Sequence, residues 1–136
     1  MDTQTPMPLV SKPALWIGRI MTALPVLMLL MSATMKFLQP PDAAEGFAHL
    51  GWSMDLAIGL GILELACTVL YVIPQTSILG AILLTGYLGG ATATHVRVGD
   101  SFIMPVILGV IIWGGLFLRD PRLRVLIPLR KKAVQG

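Results

Sequence analysis

Four apolar runs of about twenty residues leave this chain few ways to fold. They cover about residues 14–37, 54–73, 77–96 and 102–118. Crossing the hydrocarbon core of a bilayer takes about 20 residues, with a range of about 17 to 25. All four runs qualify, the fourth at the short end. Only short connections separate them, and the 136 residues are 55% hydrophobic and 12% charged. Soluble domains carry about 25% charged residues. The chain therefore has no material for a polar coat, which excludes a soluble monomer, a disordered chain and a nucleic-acid-binding module. The expected fold is all-α: a polytopic membrane protein, an antiparallel four-transmembrane-helix bundle forming a single membrane domain over residues 1–136.

The residues between the runs punctuate helices. Ser11 and Pro13 make a cap and a first-turn proline. Gln39-Pro40-Pro41-Asp42 stops the first helix, and Pro74 stops the second. Ser53 and Ser77 are expected caps of the second and third helices, and Gly99-Asp100-Ser101 a turn and cap before the fourth. Pro25 falls inside the first span, where a kink is expected. A cleaved signal peptide is the rival reading of that span, but the run is longer than an h-region and no small-residue cleavage site follows it. Asp120-Pro121 opens a short segment, Arg122 to Leu129, expected at the interface.

Basic residues set the orientation. Six of the ten lie in the last eighteen positions: Arg119, Arg122, Arg124, Arg130, Lys131 and Lys132. The N-terminal side carries Lys12 and Arg19, whereas the first connection carries Asp42 and Glu45. Positive residues favour the cytoplasmic face, so both termini are expected there, with 119–136 a basic cytoplasmic tail on anionic lipid.

Ionisable groups inside a membrane are costly and mark function or pairing. Glu64 sits mid-span, on one helical face with Ala57, Gly61, Thr68 and Tyr71. At 1.5 Å per residue, Arg19 stands about 7 Å and Glu64 about 13 Å from the same end of their antiparallel spans. The expected partner of Glu64 is therefore Arg19, a buried ion pair that either serves function or only locks two helices.

The third span carries two polar stripes, one through Thr85, Gly89, Thr92 and His95, the other through Tyr87, Gly90, Thr94 and Arg97. Gly86 and Gly90, and the row Ala81, Thr85, Gly89 and Ala93, make small-residue steps that let helices approach. His95 and Arg97 end the span at the rim that also holds Lys36 and Asp55. Lys36 and Asp55 suit charges that snorkel to water. His95 and Arg97 fit either snorkelling or a headgroup site with His95 as the proton-transfer group. The candidate ligand and proton site is thus Glu64, Tyr87, Thr92, His95 and Arg97.

Other residues suit structural roles. Trp16, Trp52 and Trp113 are expected as interfacial anchors, and the methionines of the first span as adaptable packing. Cys67 is the only cysteine, which excludes an internal disulfide or a two-cysteine redox pair. No metal site and no haem, flavin or iron–sulfur motif is present in the sequence.

The run Thr85-Gly86-Tyr87-Leu88-Gly89-Gly90-Ala91-x-Ala93-x-His95-x-Arg97, with Gly61-x-x-Glu64 and Leu70-Tyr71-x-Ile73-Pro74 before it, resembles the DoxX-like family of small four-helix membrane proteins. Ser32-x-x-x-Lys36 and Leu118-Arg119-Asp120-Pro121-Arg122-Leu123 carry the resemblance further, over about residues 14 to 128. It implies a multi-pass protein of a bacterial inner membrane. Because the wider group includes membrane subunits linked to thiosulfate:quinone oxidoreductases, it also implies a quinone-facing or redox-accessory role.

Two functions remain open. One is a non-enzymatic binding protein or accessory subunit holding a quinone- or lipid-like molecule, with no covalent cofactor. The other is a quinone-coupled oxidoreductase subunit in which His95 and Arg97 hold the headgroup and Glu64 moves protons. A small transporter fits less well, since four short spans show no inverted repeat. Expected partners are the lipid bilayer and either a redox enzyme subunit or further copies of the chain, with no nucleic acid.

Overall fold

The computed structural model describes residues 9–126. Within them the chain forms α1 (Lys12–Leu38), α2 (Pro41–His49), α3 (Ala57–Val72), α4 (Ser77–Val98), α5 (Ile103–Arg119) and α6 (Pro121–Leu126), with single 3-10 turns at Met54–Leu56 and Pro74–Thr76. No strand occurs among the described residues. Arg130, Lys131, Lys132 and the end of the expected interfacial segment lie outside them.

Local chemistry accounts for these boundaries. The Ser11 hydroxyl accepts from the Ala14 amide, and Pro13 stands in the first turn of α1. Pro25 is buried within α1, which runs unbroken over 27 residues. Gln39 then takes a left-handed conformation and ends the helix. Pro40 and Pro41 end α1 and also start α2, because proline suits a first helical position. The segment expected as a plain connection is therefore a nine-residue helix. Ser77 differs from expectation too: it is a buried α4 residue whose hydroxyl donates to the Ile73 carbonyl at 2.9 Å, in place of a capping role. Gly99, at φ +79°, closes α4.

α1 packs on α3 and α5, α3 on α4, and α4 on α5, closing a ring of four antiparallel helices. Leu29, Tyr71, Leu84, Leu88, Ile112 and Leu116 fill its centre. The outer surface is apolar as well, with Leu27, Met31, Ile62, Ile82, Ile103 and Val110 exposed. A surface of that kind suits lipid, which is as apolar as leucine. Three helical stretches are long and apolar enough to cross a membrane, and the 17-residue α5 is a shorter apolar helix. The molecule is an all-α polytopic membrane bundle.

The helices approach most closely at glycines other than those expected. A Cβ on Gly80 would stand 2.2 Å from the Tyr71 amide nitrogen, so the α3–α4 hairpin closes there. A Cβ on Gly18 would lie 3.0 Å from the Gly115 carbonyl oxygen, so α1 and α5 nearly touch. Gly86, Gly89 and Gly90 face open space. Their small-residue steps do not serve packing within the chain, because α4 turns its Gly80, Ala81 and Leu84 face inward instead.

Candidate functional site

Glu64 lies on the α3 face formed by Ala57, Gly61, Cys67, Thr68 and Tyr71, all buried. Glu64 itself is 2% exposed. A carboxylate so placed must find partners, and it finds them on α1. Lys36 Nζ stands 2.8 Å from Glu64 Oε2. Lys36 also donates to the Ser32 hydroxyl at 2.7 Å, and Ser32 Oγ lies 3.3 Å from the same carboxylate oxygen. Tyr87, on α4, lies within the electrostatic reach of that carboxylate. One cation, one hydroxyl and one carboxylate thus meet between α1 and α3, with Tyr87 of α4 nearby.

This corrects the expected Arg19–Glu64 pair. Gly61 packs against Lys36 and Phe37, which fixes the antiparallel register and puts Glu64 opposite Ala33. Arg19 is then about 14 residues away along α1, roughly 21 Å at 1.5 Å per residue. Its guanidinium lies over the Trp16 ring, 5.4 Å from the centroid. The end-to-end estimate failed because α1 has 27 residues and α3 only 16, so helix ends are not level. Lys36 is corrected in turn: its side chain turns into the bundle and does not snorkel away.

The remaining rim residues separate. Asp55 is exposed in the 3-10 turn, beside the Ser53 hydroxyl that caps it. Arg97 donates to the Leu50 carbonyl at 2.6 Å, and His49 Nε2 lies 2.8 Å from Asp100 Oδ2. These two contacts hold the α2 connection against the α4–α5 turn. His95 donates from Nδ1 to the Ala91 carbonyl of its own helix at 2.7 Å. The expected set therefore does not converge. Glu64 and Tyr87 share one cluster, Thr92 faces a groove, and His95 and Arg97 stay at the rim.

That groove, of about 660 Å³, runs between α4 and α5. Thr85, Gly89 and Thr92 form one wall, and Gly109, Val110 and Trp113 the other. Gly89 and Gly109 open it because neither carries a side chain. Trp113 Nε1 donates to Thr85 Oγ1 at 2.8 Å across it. Trp113 thus lines the groove, less than two turns from the end of α5. Ser32, Thr85 and Trp113 were not among the expected site residues. Ser32 stood out only through the motif that it shares with Lys36. Among the described residues no group of three or more His, Cys, Asp or Glu side chains is placed to hold a metal ion.

A family model described as the DoxX-like family matches residues 20–115. No curated protein and no solved structure matches the chain.

Proposed function

The chain belongs to the DoxX-like family, and from that premise we propose that it is an integral membrane protein binding an amphipathic small molecule, quinone- or lipid-like, in the α4–α5 groove. The groove carries this reading. Its volume of about 660 Å³ lies within the usual range of ligand sites, about 300–1,000 Å³. Its walls are apolar, and the Thr85 and Thr92 hydroxyl oxygens, whose protons go to the Ala81 and Leu88 carbonyls, are the acceptors that would orient a headgroup. It opens on the lipid-facing surface, from which such a molecule enters. The Lys and Arg distribution supports an inner-membrane protein with both termini cytoplasmic. The test is native mass spectrometry from lipid nanodiscs, comparing wild type with Gly89→Leu. The Gly89 position has room for a Cβ, and a leucine there would narrow the groove; an unchanged unfolding temperature checks that the variant folds. A stoichiometric small molecule that the variant loses supports the reading. Identical bulk phospholipid in both contradicts it.

A redox-accessory role is the second reading, favoured by the chain Lys36–Ser32–Glu64 with Tyr87 beside it. A quinone in the groove would supply the redox chemistry and a partner subunit the electrons, while Glu64 held or moved a proton. Loss of quinone reduction in membranes carrying Glu64→Gln, with quinone still bound, would favour the second reading.

A further inference from the structure

The opposite end of the bundle holds two cations, Arg19 and Arg119, that make no salt bridge among the described residues. Arg119 is the last residue of α5, and Asp120 leaves the helix in an extended conformation because a residue before proline avoids the helical region. Side chains lean toward a helix's N-terminus, so Arg119 climbs back into the bundle, its Cζ 5.6 Å from the Tyr71 ring centroid. Its Nε and Nη2 are buried and have no hydrogen-bond partner among the described residues. Arg19 lines the same small cavity of about 200 Å³, with Thr22, Ala23, Val26 and Val72. The Gly18–Gly115 contact holds α1 and α5 together one residue from Arg19 and one turn from Arg119.

The charged and backbone acceptors around Arg119 are engaged by other donors. The Asp120 carboxylate takes the Arg122 guanidinium, at 3.2 and 3.1 Å, and the Arg122 amide. The last carbonyls of α5, on Phe117 and Leu118, take Arg124 at 2.8 and 2.6 Å. At the end of α3, Thr76 and Ser77 donate to the Leu70 and Ile73 carbonyls. Arg19 and Arg119 thus line one cavity, and the buried Arg119 nitrogens lack the partner that buried polar groups rarely go without.

The geometry points to an anion site: Arg19 and Arg119 together bind a phosphate oxyanion, Arg119 donating from its fixed planar fork. The cavity is sized for a headgroup and not for an acyl chain. It lies about one turn from the exposed Trp16, whose ring marks headgroup depth. A phospholipid phosphate or free inorganic phosphate would supply the same chemistry. This inference does not depend on the α4–α5 groove.

The test is thermal unfolding of wild type, Arg119→Gln, Arg19→Gln and Arg119→Lys, delipidated in maltoside micelles that carry no phosphate. Each is measured alone in phosphate-free buffer, with added phosphatidylglycerol, and with inorganic phosphate. The wild type should gain stability with phosphatidylglycerol and retain it in native mass spectra, each Gln variant should lose about tenfold in apparent affinity, and Arg119→Lys should keep part of it. In micelles alone Arg119→Gln should be as stable as wild type or more so, since it removes an unpaired charge. Stabilisation by inorganic phosphate alone would assign the site to free phosphate. No response to phosphatidylglycerol or to phosphate would overturn the proposal, as would Gln variants that respond like wild type.

Discussion

Lys36 reaches from α1 to Glu64 on α3 with 2.8 Å between Nζ and Oε2, although the lysine is 16% exposed and the glutamate only 2%. The exposure difference gives the pair a polarity. Released from Glu64, Lys36 has a path to the rim. Released from Lys36, Glu64 has none.

Lys36→Met should therefore be the costlier substitution, at about 3 kcal/mol, because it strands a buried carboxylate. Glu64→Gln should cost less. In a double-mutant cycle by reversible unfolding, Lys36 and Glu64 should couple by about 1 kcal/mol or more. Arg19 and Glu64 should be additive within about 0.5 kcal/mol, and coupling between them would contradict the register.

Gly80→Ala should be among the most damaging single-methyl changes in the chain. The new Cβ would meet Tyr71 backbone at 2.2 and 2.4 Å, so the α3–α4 hairpin must open, at about 3 kcal/mol. Gly86→Ala and Gly90→Ala meet nothing and should gain up to about 1 kcal/mol from helix propensity. The same unfolding assay separates the two groups.

The sequence disclosed the inward face of α3 more readily than that of α4 or how the helices register. Ala57, Gly61, Glu64, Thr68 and Tyr71 share a face by simple 3.6-residue periodicity, and all are buried. The partner of Glu64 was hidden because register depends on unequal helix lengths and on the Gly61–Lys36 contact, neither of which is local. The α2 helix was hidden for a different reason: two prolines end one helix and start the next at the same place. Arg119 was counted with the basic tail, and only the fold turns it back over Tyr71.

Arg97→Gln should loosen α2 without unfolding the bundle. The bond from Arg97 to the Leu50 carbonyl lies at the surface, so global stability should change by less than about 1 kcal/mol. Amide exchange at Phe47 to Trp52 should quicken markedly. Unchanged exchange there would mean that Arg97 does not hold the connection.

Acid should release α6 before the rest. The Arg122 guanidinium bonded to Asp120 holds that carboxyl below its ordinary value of 3.8. A depressed native pKa gives a stabilising contribution that is complete above the unfolded value and lost as pH falls through the lower native one. The effect is small, since Arg122 sits in water. Exchange of the Arg122 and Leu123 amides should rise below about pH 4, and Asp120→Asn should remove that pH dependence.

The most direct test of the central claim uses Trp113 as its own reporter. The chain has three tryptophans, and Trp16→Phe with Trp52→Phe leaves only the one that lines the groove. Titration of this protein in nanodiscs with a short-chain quinone should give saturable quenching of Trp113, abolished by Gly89→Leu. Quenching that rises linearly without saturation, and equally in the Gly89→Leu protein, would mean that the groove holds no quinone-like ligand.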